Sequence, residues 1–206
     1  MYETDKKKKL PKSKHQVEFI EESHTYIYEG VIIPSVSEVM NPMSEKKYAN
    51  ISRARLENAA NRGTRVHKEV EDFEKTGVHT TDKEIQPYLM AYRIAKKLHK
   101  FEVFDNEKRL TNGKYAGTLD MIAKLDGKLI IIDLKATSVI NYDLLEVQLA
   151  AYYELCQFNN IKIDETYVLH LKPGAYKFLK IEPNFPMWQH LLEHYEQTNS
   201  SMQHLD

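Results

Sequence analysis

YAGTLDMIAKLDGKLIIIDLK, residues 115–135, is the stretch whose reading decides the fold. Asp126-Gly127 stands between two apolar, β-branched runs, the strongest short-range signal for a two-residue β-hairpin. Such a loop sets Leu125 opposite Lys128, and stepping back along the strands brings Asp120 opposite Asp133. Cβ atoms of directly opposed residues lie roughly 4.5–5.5 Å apart, and like charges so placed repel. Lys135, two residues beyond Asp133, points to the same face. The neighbouring positions Leu119, Met121, Ile122, Ile130, Ile131 and Ile132 read as buried. Two opposed acids in so apolar a setting need compensation, and a divalent cation is the simplest source of it.

The chain around this hairpin is ordinary in size and composition. Its 206 residues, 42% apolar and 29% charged, suit one soluble domain able to bury a core without disulfides. No apolar run approaches the ~18 residues that span a bilayer, and the lysine-rich N-terminus lacks the apolar segment of a signal peptide. Cys156 is the only cysteine, which excludes a disulfide framework, a multi-thiolate zinc site and an iron-sulphur cluster held by this chain. These features suit a cytoplasmic protein with no membrane contact. A net charge of −1 decides nothing about nucleic acid, since a local basic patch suffices to attract phosphate.

Residues 1–16, with Lys6 to Lys9, Lys12 and Lys14, read as a flexible tail, and residues 17–206 as a single domain. HTYIYEGVIIPSV reads as a small hairpin around Glu29-Gly30, ended by Pro34, and Ser35 with Glu38 signals a capping box. Pro42 is expected to interrupt and Ser44 to cap a long helix. That helix carries Arg53, Arg55 and Arg62, with Arg65 just beyond, as candidate phosphate contacts or as a solvated face. Gly63 is expected to break it and Thr64 to restart it as far as Gly77. In the restarted helix Val66, Val70 and Phe73 form an apolar stripe, with His67 and Glu71 one turn apart on its flank. A further helix is expected over 82–99, then a strand over 101–110 turned by Thr111-Asn112-Gly113 into the central hairpin. Next comes a helix in which Gln148 and Tyr152 share a face, followed by two strands around Pro173-Gly174. A C-terminal helix with Trp188 in its core is expected to fray beyond Thr198.

Two acids and a lysine on adjacent strands suit phosphodiester hydrolysis, in which a polyanionic substrate gathers further charge on its nonbridging oxygens. Mg2+ or Mn2+ would offset that charge and activate water. Asp120 and Asp133 would hold the metal, with the backbone carbonyl of Leu134 as a further ligand, and Lys135 would stabilise charge or orient water. A role for Lys135 as general base would require a depressed pKa. The competing reading of Asp133 and Lys135 as a plain ion pair leaves Asp120 unexplained.

The ordered motifs Gly63-Thr64-x-x-His67, Gly117-Thr118-Leu119-Asp120, Ile132-Asp133-Leu134-Lys135 and Gln148-x-x-x-Tyr152 resemble those of the PD-(D/E)XK nuclease superfamily. More narrowly they resemble its RecB-like and phage-type exonuclease branch. The resemblance implies a restriction-endonuclease-like α/β (α+β) core with a central mixed sheet and helices on both faces. It implies His67 as an additional metal ligand, Lys135 as the catalytic lysine, Gln148 and Tyr152 as positioning groups, and Glu71 as a hydrogen-bonding support. Some relatives carry an iron-sulphur cluster, which Cys156 alone cannot hold.

The resulting expectation is a Mg2+- or Mn2+-dependent DNA exonuclease of phage or prophage type. It would act by attack of metal-bound water on single- or double-stranded DNA, ends preferred, in DNA processing or recombination. A homo-oligomer or a recombination partner protein is compatible with it. The alternatives are a structure-specific endonuclease on the same scaffold and a noncatalytic DNA-binding or interaction module.

Overall fold

A computed structural model describes residues 10 and 15–202. Strands β1 (Glu18–Ile20), β2 (Thr25–Tyr28) and β3 (Val31–Ile33) form a small antiparallel sheet, one strand more than the expected hairpin. Glu29 and Gly30 turn β2 into β3 with φ of 51° and 79°, the left-handed pair that a two-residue hairpin loop requires. Pro34 ends β3, and Ser35 caps α1 (Val36–Val39). Its Oγ accepts the Glu38 N–H at 3.1 Å, while the Glu38 carboxylate accepts the Ser35 N–H at 2.6 Å.

Pro42 does not interrupt the next segment. It sits in the first turn of α2 (Asn41–Tyr48), where a missing N–H costs nothing, so Ser44 falls inside the helix instead of capping it. A separate helix, α3 (Arg53–Thr76), then runs unbroken through Gly63. One glycine in a helix interior costs only about 1 kcal/mol, which the burial of Val66 and Val70 offsets, and Thr64 Oγ1 donates back to the Ala60 carbonyl at 3.2 Å instead of capping. Gly77, at φ 71°, ends α3 as expected. The helix expected from Asp82 starts a turn later, as α4 (Gln86–His99), with Pro87 in its first turn.

The central sheet is built from β4 (Glu102–Thr111), β5 (Ala116–Leu125), β6 (Lys128–Lys135), β7 (Glu165–Lys172) and β8 (Ala175–Lys180), in that spatial order. All pairs are antiparallel except β6 with β7. A parallel pair needs a crossover, and α5 (Tyr142–Phe158) supplies it. The period of two divides the isoleucine run of β6 between the two faces. Ile131 packs with α1, α5 and α6 (Phe185–Met202), whereas Ile130 and Ile132 pack with α3 and α4. The fold is α+β, a mixed five-stranded sheet with helices on both faces. Trp188, on the inner face of α6, is fully buried, and the helix continues past Thr198.

Apart from residues 10, 15 and 16, the lysine-rich stretch over 1–16 lies outside the described residues, as do residues 203–206. Among the described residues no helix is long and apolar enough to cross a membrane.

Candidate active site

Two turns fix which side chains meet. Asp126 and Gly127, at φ 47° and 84°, form a two-residue loop, so Leu125 pairs with Lys128 and the register runs back to Met121 opposite Ile132. One step further sets Asp120 against Asp133. On the other side of β5, the pairs Asn106 with Met121 and Lys108 with Leu119 bracket Glu107 opposite Asp120. Carboxylates from three neighbouring strands therefore stand in one row. Backbone pairing lapses there: Asp120 Oδ2 accepts the Leu134 N–H at 2.6 Å, and Glu107 adopts φ 49°.

His67 reaches this row from α3. Its Nδ1 lies 3.2 Å from Asp120 Oδ1, and its Nε2 donates to the Leu134 carbonyl at 3.1 Å. Ligand atoms of His67, Glu107 and Asp120 all lie within 4.8 Å of one another. Asp133 is 2% exposed, with Lys135 Nζ at 2.7 Å from its Oδ2. That contact lacks hydrogen-bond alignment, so Oδ2 remains a buried oxygen with no hydrogen-bond partner. Lys135 Nζ instead donates to Gln148 Oε1 at 3.1 Å, and Gln148 Nε2 donates to the Tyr152 hydroxyl at 3.0 Å.

Gly117 makes room for this relay. A Cβ there would stand 2.8 Å from Tyr152 Cε1 and 3.1 Å from Val36 Cγ2, closer than packed atoms approach. Gly117→Ala is expected to displace the Tyr152 ring and cost about 1–3 kcal/mol. Chemical denaturation checks the loss; an unchanged midpoint would show that Tyr152 has slack.

The charges are strongly coupled. Burial alone would raise the Asp120 carboxyl, but the adjacent His67 and then Lys135 bring it below its ordinary value. Asp133 goes the other way, raised by burial and by Asp120 against the pull of Lys135. Burial followed by the Asp120 charge pushes Glu107 up to about 7. Burial disfavours a charged Lys135, yet Asp133 and Asp120 outweigh it and the ammonium is held more firmly than usual. In the metal-free protein Lys135 is therefore held as a positive charge.

Burial also opposes the charging of His67, and Asp120 overrides it, lifting the imidazole from 6.5 to about 9. A histidine with a raised native pKa stabilises fully below its unfolded value and loses that contribution as pH rises through the native one. Without metal, melting temperature is expected to fall between pH 6.5 and about 9 more steeply in the wild type than in His67→Gln. Parallel profiles in EDTA would contradict the pairing.

The donor set fits a divalent cation. Two carboxylates and one imidazole, from Glu107, Asp120 and His67, converge, and buried Asp133 stands beside them in the same row with Lys135 Nζ 2.7 Å from its Oδ2. His67, Glu107 and Asp120 would hold the ion, with Asp133 of the same row next to them, a mixed oxygen and nitrogen set compatible with Mn2+ as well as Mg2+. The Leu134 carbonyl, expected as a ligand, faces His67 Nε2. Glu71 does not support His67 as expected: Lys75 and Lys68 pair with its carboxylate, while Asp120 and the Leu134 carbonyl take both imidazole nitrogens.

The four arginines separate. Arg53 pairs with Glu57, and Arg65 is tied to Asp82 and Glu84. Arg55 and Arg62 line a cavity beside the site. Glu107 was not legible as a site residue without the register of β4. The signal was present in Asn112-Gly113-Lys114-Tyr115, a four-residue loop that pairs Thr111 with Ala116 and so counts back to Glu107 opposite Asp120.

No family model and no curated protein matches the chain. Among solved structures, SSO0001 shares 15% identity at a TM-score of 0.42, over 81% of this chain and 74% of that one. A phage related exonuclease from Haemophilus somnus 129PT shares 13% identity at 0.37, over 82% and 96%. An alkaline exonuclease (LHK-Exo) from Laribacter hongkongensis shares 11% at 0.36, over 82% and 94%. Overlap this low carries no chemistry across, and the function is read from the side chains.

Proposed function

We propose that the chain is a divalent-cation-dependent DNA nuclease of the PD-(D/E)XK type, acting from DNA ends. The observation that carries this reading is the convergence of His67, Glu107 and Asp120, in a row with buried Asp133 and beside a lysine held in its charged form. A noncatalytic binder has no use for that repulsion.

In hydrolysis a water oxygen bonds to phosphorus as the P–O ester bond breaks, leaving a phosphate on one fragment and a hydroxyl on the other. A bound cation supplies charge neutralisation at the phosphate and acidifies water. The carboxylates of Asp120 and Glu107, with Asp133 beside them, would hold that charge in place, and His67 would cap the set from α3. The Lys135 ammonium faces the developing negative charge on the nonbridging oxygens, where a fixed cation has most effect. Gln148 and Tyr152 hold Lys135 at the correct angle through the two hydrogen bonds described above. Burial of Tyr152 raises its hydroxyl well above the ordinary value, with Asp120 and Asp133 adding to the effect, so it stays neutral.

Action from ends follows the branch that the motifs resemble. A time course on end-labelled linear DNA and closed circular single strands, with Mg2+, Mn2+ or EDTA, tests both parts. Loss of linear DNA in either metal, none in EDTA and intact circles is the expected result. Cut circles would replace the exonuclease by an endonuclease, and inert linear DNA in both metals would remove the nuclease reading altogether.

A further inference from the structure

Three apolar side chains near the site lie open to water although the fold gives no reason for it. Ile51, between α2 and α3, is 42% exposed; Val139, in the connection after β6, 76%; and Tyr142, at the start of α5, 48%. They are not scattered. Together with Tyr48 they form the walls of one cavity of about 1030 Å³, and His67, Leu134 and Lys135 also line it. The same walls carry Arg55 and Arg62. Arg62 is steadied by the Ala136 carbonyl at 3.3 Å, and Arg55 makes no ion pair among the described residues.

This combination discriminates between two forms of DNA. A duplex turns its phosphates and sugars outward and keeps its bases stacked inside, so Ile51, Val139 and Tyr142 would offer it little. An unpaired strand has free base faces, which stack on aromatic and apolar side chains while its phosphates seek arginine. On the other side of His67 a second cavity, of about 580 Å³, repeats the pairing of ring and cation, with Arg109 4.7 Å above the centre of Phe19. The two cavities meet at the imidazole that touches Asp120.

We infer that the groove walled by Ile51, Val139 and Tyr142 takes an unpaired DNA strand, so the scissile phosphate reaches Asp120 and Asp133 on single-stranded substrate. This rests on the nuclease reading and adds the strand form to it. A double-stranded end must then open before it is cut.

Fluorescence anisotropy of the full chain in EDTA, where nothing is hydrolysed, tests the groove. The probes are a labelled oligothymidylate and a blunt hairpin duplex of equal length. The oligothymidylate is expected to bind at least about ten-fold tighter, and Tyr142→Ala to weaken it about five-fold or more without changing duplex binding. Val139→Ser, at a still more exposed position, should weaken it in the same sense, and melting curves of both variants confirm folding. Equal or tighter binding of the duplex, or folded variants that bind oligothymidylate like the wild type, would overturn the inference. A parallel hydrolysis assay in Mn2+ separates the two claims. Cleavage together with no strand preference sinks only the groove, while strand preference without cleavage of any DNA sinks the nuclease.

Discussion

Lys135→Met is expected to slow metal-dependent DNA hydrolysis by about 10²–10³-fold, the usual cost of removing a positive or hydrogen-bonding group aimed at transition-state charge. Methionine keeps the stem that packs beside Gln148 and removes only the ammonium. Lys135 touches Asp133 and Gln148, and its charge opposes that of a bound cation. Cation affinity should therefore be unchanged or higher, and the loss should appear in kcat. Full activity of Lys135→Met would remove the lysine from the mechanism. A defect cured by raising metal concentration would make it a metal-site residue only.

The second large effect divides stability from activity. Asp133→Asn is expected to abolish detectable hydrolysis and yet raise the melting temperature of the metal-free protein. Burial and the Asp120 charge raise the native pKa of Asp133 above its unfolded value. The native state thus binds the proton more tightly, and ionising the carboxyl lowers stability at every pH above that native value. An asparagine of the same shape avoids this penalty. The gain is about 1–2 kcal/mol, roughly 2–8 °C for a chain of this size. Lys135 does not become an isolated buried charge, because its side chain is 26% exposed and Gln148 still accepts from it. Thermal melts in EDTA check the sign. A variant less stable than the wild type would mean that the Lys135 pair outweighs the repulsion.

Much of this site is legible in sequence because tight turns transmit register. Asp126-Gly127 alone determines that Asp120 and Asp133 share a row, and the spacing of Gln148 and Tyr152 on a helix after β6 sets Gln148 against Lys135 and Tyr152 behind Gln148. Glu107 is harder, since its place depends on a longer loop, whose four residues must be counted before the register from Thr111 and Ala116 reaches Asp120. The helix boundaries failed for a different reason. Pro42 and Gly63 are local signals with two meanings each: proline also fits the first turn of a helix, where it has no N–H to lose, and glycine is carried through by the burial of Val66 and Val70. The role of Glu71 turned on lysines one turn away, Lys68 and Lys75, whose competition for its carboxylate depends on side-chain geometry more than on spacing.

Calorimetric titration of the full chain with Mn2+ tests the central claim most directly, because it asks whether the row of Glu107, Asp120 and Asp133 exists to hold a cation. The site predicts saturable binding that is lost in Asp120→Asn and weakens as pH falls, first as His67 takes up its proton at about 9 and further as Glu107 takes up its own at about 7. Absence of binding at millimolar Mn2+ and Mg2+, or binding indifferent to Asp120, would contradict it.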